Sequence, residues 1–131
     1  MGSFLNSWSP RVLSMLRIVT GFLFFQHGTQ KMFGFPAPAR HEFDLFSLHG
    51  VAASLEIIGG LLIFIGLFTR PTAFILSGLM AFAYFIAHAP HSFWPLLNHG
   101  ELAAMWSFVF LYLAFAGGGA WSFDRCCKNK R

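Results

Sequence analysis

The chain has 131 residues, 56% of them apolar and only 11% charged, with a net charge of +4. Water-facing domains carry about 25% charged residues, so this composition does not fit a soluble globular domain. Nor is the positive balance a nucleic-acid signal: four of the nine basic residues, Arg125, Lys128, Lys130 and Arg131, sit in a short tail and the rest are scattered.

The expected fold class is all-α. The sequence reads as a polytopic membrane protein, a single domain over 1–131 whose four transmembrane helices form a bundle. A helix crosses the hydrocarbon with about 20 mostly apolar residues. Four stretches meet that requirement, approximately 12–33, 51–69, 71–89 and 98–116. The first begins directly after Arg11 and is too long for the apolar core of a cleavable signal, so it reads as an uncleaved span. Asn6 stands where a myristoylation motif needs Ser or Thr.

Gly34-Phe35-Pro36-Ala37-Pro38 stops the first helix, because proline has no amide proton and disfavours helix in the residue before it. The connection to Gly50 contains Phe43, Leu45, Phe46 and Leu48. It is expected to lie in the interface or to fold over the mouth of the bundle. A tight turn at Phe68-Thr69-Arg70-Pro71 makes spans two and three antiparallel neighbours. The connection after Pro90 is aromatic, and Trp94 is expected at headgroup level. Asn98-His99-Gly100-Glu101 resembles a capping box with Asn98 as cap. Gly117-Gly118-Gly119 ends span four, Trp121 anchors it, and a basic tail fills 121–131. Both outer connections end in His-Gly, at His49-Gly50 and His99-Gly100, which hints at two related hairpins.

Short loops rich in Lys and Arg stay in the cytoplasm. Arg11, Arg70 and the tail share one side of a four-span weave, whereas Arg40 on the other side is set against Glu42 and Asp44. Both termini are therefore expected in the cytoplasm. Cys126 and Cys127 then face a reducing compartment as free thiols, acylation being the alternative.

Ionisable groups inside a bilayer are costly and usually face partners within the protein. Arg17, His27, Lys31 and Glu56 lie within spans. His27 lies about 9 Å below the outer end of span one, at the depth of Glu56 in span two. Lys31 is one turn above His27 on the same face. His27, Lys31 and Glu56 are thus expected to converge and to carry any chemistry. The alternative is a clamp that only fixes helix register. Arg17 stands near the inner end, on a stripe with Gly21, Gly28 and Lys31 that should face the bundle. Arg17, His88, Trp94, His99 and Glu101 are the candidate cofactor-binding residues. No metal site is expected.

The run from Arg17 through Gly21-Phe22-Leu23-Phe24-Phe25-Gln26-His27-Gly28 to Lys31-Met32-Phe33-Gly34-Phe35 resembles the first-span signature of the DoxX family. Glu56-Ile57-Ile58-Gly59-Gly60 through Gly66-Leu67-Phe68-Thr69-Arg70-Pro71 resembles its second. Phe93-Trp94-Pro95, Asn98-His99-Gly100-Glu101 and Gly117-Gly118-Gly119-Ala120-Trp121-Ser122-Phe123-Asp124 resemble its last two. The resemblance spans Arg11 to Asp124. It implies a small four-helix protein of the bacterial inner membrane. It also implies links to quinone-dependent sulfur oxidation, to quinol oxidase complexes and to membrane oxidoreductase complexes that counter oxidative stress. Arg17, His27, Lys31, Glu56, His99 and Glu101 match the polar positions of the motifs.

The leading expectation is a quinone-interacting subunit of a redox complex. The chain has no nucleotide fingerprint, no C-x-x-C and no iron–sulfur cysteine set, so a protein partner or a bound cofactor would supply or accept electrons. A b-type haem held by His27 and His88 is a weaker alternative. A non-catalytic anchor or small-molecule carrier is another, and self-association suits so short a chain.

Overall fold

The structure is a computed structural model that describes residues 1–128. Every regular element in it is helical. They are α1 (Gly2–Phe33), α2 (Leu48–Ile65), α3 (Thr69–Ala83) continued by a π-helical turn (Tyr84–His88), α4 (Pro95–Asn98), α5 (Glu101–Ala116) and α6 (Phe123–Lys128). The tail residues Lys130 and Arg131 lie outside the described residues.

Two hairpins make the bundle. In the first, α1 and α2 run antiparallel, because Arg17 meets the last carbonyls of α2 while Lys31 meets Glu56 near its start. Their backbones nearly touch: a Cβ on Gly21 would lie 2.5 Å from the Phe64 amide nitrogen, and one on Gly60 2.9 Å from the Phe25 backbone. Small residues at such a seam let helices approach where no water drives them together. In the second hairpin α3 and α5 are antiparallel. Ser77 Oγ donates to the Ser107 carbonyl at 2.8 Å, and Ser107 Oγ returns a bond to the Ser77 carbonyl at 3.0 Å. The hairpins meet along Phe24, Ile63, Leu76, Trp106, Phe110 and Leu113. Phe24 stands edge-on to both Trp106 and Phe110, with centroids 5.0 and 4.9 Å away, the arrangement ring quadrupoles prefer.

Outside this core the surface is oily. Phe74, Phe85, Phe108 and Phe115 are each at least 66% exposed, which water-soluble monomers rarely tolerate as contiguous patches. α2 and the continuous Thr69–His88 segment are long and apolar enough to cross a membrane, whereas α5 is apolar but shorter.

Several boundaries differ from the sequence expectation. Helix α1 begins ten residues before the expected span and carries Pro10 inside it. Its 32 residues reach about 48 Å at helical rise, beyond a hydrocarbon layer of about 30 Å. Helix α2 ends at Ile65, not 69, because Gly66 takes a left-handed conformation with φ 74° and returns its N–H to Leu62 and Ile63. Helix α5 begins at Glu101 with Gly100 as its cap, so the expected capping box does not form. Asn98 closes α4 instead. It is buried, accepts from the Gly100 amide at 2.8 Å and donates to Ser92 and Tyr84.

Candidate functional site

At the end of the bundle where α1 finishes, Lys31 Nζ lies 2.5 Å from Glu56 Oε1. The Lys31 side chain is 37% exposed and that of Glu56 only 3%. The second oxygen, Oε2, is buried without a hydrogen-bond partner among the described residues. A buried carboxylate with one oxygen unmatched is a high-energy arrangement, since desolvation is offset on one side only.

Lys31 continues upward into the wall of a cavity of about 380 Å³. His27 and Gln30 from α1, His49 and Gly50 from α2, and His88 from the π-helical turn share that wall. The roof is the 34–47 connection, which contributes Ala39, Arg40, His41, Glu42, Phe43 and Asp44. This fold-over fulfils the second of the two expectations for that segment. Thr29 Oγ1 donates to the Phe35 carbonyl at 2.9 Å and Gln30 Nε2 to that of Pro38, which hold the chain as it leaves α1. Its return is fixed by Ser47, which caps α2 by accepting from the Gly50 amide and donates to the Asp44 carbonyl. Gly50 is required there, because a Cβ would overlap the Asp44 carbonyl.

His27 stands edge-on to Trp106, centroids 4.9 Å apart at 90°, and is half-buried. The indole thus sets the ring's orientation from below. His88 is oriented from its far side: Nδ1 lies 3.0 Å from the Asn98 carbonyl, and the ring stacks on Tyr84. A carbonyl accepts only, so Nδ1 carries a proton in this contact.

Of the expected trio, Lys31 meets Glu56, while His27 shares only the cavity wall with Lys31 and His88, and Glu56 lies behind that wall. The structure does not bring the remaining candidates there. Trp94, His99 and Glu101 are exposed around α4 and do not line the cavity. Arg17 is at the other end, fully buried and held by four carbonyls. Nε donates to Gly118 at 2.8 Å, Nη1 to Ile63 and Phe64, and Nη2 to Trp121 at 2.6 Å. It ties the C-terminus of α2 to the glycine turn after α5, an arrangement that suits a forked cation at helix ends. Sequence reasoning passed over Trp106, His41 and the cavity role of His49. His41 and His49 pair with centroids 4.9 Å apart. Loop pairs of that kind carry no periodic signal; only the Asp44-to-Gly50 return positions them.

A small helical bundle with an oily exterior and a polar cavity at the end where α1 finishes defines the class. The DoxX family profile matches residues 12–89, and the chain belongs to that family, which is membrane-associated. An uncharacterized protein of Haemophilus influenzae is 42% identical over 125 residues, covering 92% of this chain and 93% of the other. A Bacillus subtilis protein named "Putative oxidoreductase CatD" is 40% identical over 60 residues, covering 43% of this chain and 44% of that one. No solved structure matches.

Proposed function

We propose that the chain is a membrane subunit of a redox complex that binds a quinone or quinol headgroup in the cavity above Lys31 and Glu56. The observation carrying this reading is the Lys31–Glu56 ion pair with a second, unpartnered carboxylate oxygen beneath a cavity that His27 and His88 also line. The oxidoreductase name of the Bacillus subtilis relative supports the same direction.

A quinone supplies coupled two-electron and two-proton chemistry. The chain's own groups suit that exchange. Lys31 offers an ammonium to an oxygen that gains negative charge. His27 and His88 present imidazole rings to the cavity, the side chain most often used for proton transfer. Glu56 fixes Lys31 and holds a free acceptor oxygen behind it. Apart from Ala39, Gly50 and Phe43 the cavity wall is polar or charged, so it fits a ring and not a prenyl tail.

In this reading α1, α2, α3 with its π-helical turn, and α5 all cross the bacterial inner membrane with both termini in the cytoplasm. Arg11, Arg70, Arg125 and Lys128 gather at one end of the bundle, and Glu42, Asp44 and Glu101 at the other, which supports that orientation. Electrons pass to or from a protein partner, and the oily flanks permit a homo-oligomer.

Isothermal titration of the detergent-purified protein with a tail-less quinone tests the reading. Saturable binding is expected, lost in the double variant His27→Ala with Glu56→Gln. Equal binding by that variant would reject it. A second reading, b-haem, draws on His27 and His88 sharing one cavity; it predicts a visible absorption band in the pure protein.

A further inference from the structure

The opposite end of the bundle holds a second cavity, of about 510 Å³, that the proposed redox chemistry does not use. It opens between the α2–α3 turn, the glycine turn after α5, and α6. Three cations line it: Arg70, Arg125 and Lys128. The one acid lining it among the described residues, Asp124, is already committed, since its two oxygens accept from the amides of Phe68 and Thr69 at 2.8 Å each and so cap α3. Arg70 spends Nη1 on the Ala114 and Phe115 carbonyls, and its Nε and Nη2 have no partner among the described residues. Arg125 and Lys128 are exposed and their side chains have no hydrogen bond among the described residues. The lining thus keeps a surplus of positive charge.

An independent observation points to a ligand. Thr69 lines this cavity with no exposed surface, and its Oγ1 is buried without a hydrogen-bond partner among the described residues. A buried hydroxyl without a partner is rare in native proteins and calls for a missing one. The cavity also sits where the apolar surface ends. Phe68, Phe115, Trp121 and Phe123 are all more than half exposed around it, as expected of side chains at a membrane interface.

We propose that this cavity binds the phosphate of an anionic phospholipid, with Arg70, Arg125 and Lys128 supplying charge and the Thr69 hydroxyl supplying the buried donor. Phosphate oxygens accept several hydrogen bonds at once, and guanidinium forks match them. The aromatic rim then lies against the acyl chains, which favours a lipid over a free anion. Basic pockets at helix ends hold lipid headgroups by these forces.

The test uses the full chain reconstituted in phosphatidylcholine nanodiscs doped with phosphatidylglycerol, then released for native mass spectrometry. Retention of phosphatidylglycerol over phosphatidylcholine is expected. The exposed pair variant Arg125→Gln with Lys128→Gln should lower that retention about thirtyfold for two lost charges, with unchanged helical circular dichroism. Thr69→Val, of nearly the same shape, should lower it severalfold. Equal retention of both lipids, or retention unaltered in either variant, would overturn the proposal. Displacement by inorganic phosphate alone would overturn the lipid and leave a free-anion site.

Discussion

Two charged residues in α1 serve opposite ends of the molecule, and their surroundings separate their roles. Arg17 is buried among carbonyls and makes no ion pair among the described residues. An ammonium at this site has three donors and no planar fork, so it cannot serve all four acceptors. Arg17→Lys should therefore destabilise the fold by about 1–3 kcal/mol, the cost of one unsatisfied buried carbonyl, while quinone binding per folded molecule stays unchanged. Detergent unfolding together with the titration above checks both halves. Lys31 is different, because its partner is a buried acid. Breaking a buried pair from one side costs about 3–5 kcal/mol, and the part exposure of Lys31 brings the expectation for Lys31→Met to about 2 kcal/mol. Adding Glu56→Leu should recover most of that loss. If the double variant unfolds as readily as the single, the pair is not isolated as described. The Lys31–Glu56 meeting was legible in the sequence, because depth in a span follows from residue count. The partners of Arg17 were not, because a helix's last carbonyls leave no mark in residue type.

Among the elements, α3 and its π-helical turn couple the bundle to the cavity. The turn ends at His88, and π-helical insertions often occur at functional sites. Asn98 holds this region from outside through Tyr84, Ser92 and Gly100, while its carbonyl meets His88. Asn98→Ala should cost about 1–3 kcal/mol through the polar groups it strands. Hydrogen exchange should quicken at 92–100 while α1 and α2 keep their protection. Uniform loss of protection would instead mean that Asn98 supports the whole bundle. The sequence marked the residue types in this stretch but not their use. Asn98 followed by Glu101 looks like a capping box, yet the intervening His99 adopts φ 57° and diverts the chain before α5 starts. Similarly, Pro71 suggested a turn at 68–71. Gly66 stops α2 earlier, and Asp124, 55 residues away from Thr69, completes the start of α3. Long-range caps cannot be read from local pattern.

For the whole molecule, the oily flanks were legible from composition and apolar run length; the α1–α2 pairing followed only from the expected Lys31–Glu56 meeting, and the α3–α5 pairing was not read. The hydrophilic cavity was legible only as a cluster of ionisable residues, since its roof depends on a loop fold. The basic end and the cavity end predict a fixed orientation. Cys126 and Cys127 are exposed in α6. In intact cells a membrane-impermeant maleimide should leave them unlabelled, and in inverted vesicles it should label them; the reverse pattern would invert the topology. The central claim, that the cavity above Lys31 and Glu56 receives a quinone ring, is tested most directly by a photoreactive tail-less quinone followed by peptide mapping. Adducts are predicted within residues 27–49 and at His88, competed away by unlabelled quinone. Adducts confined to the lipid-facing flanks of α3 and α5, indifferent to competitor, would contradict it.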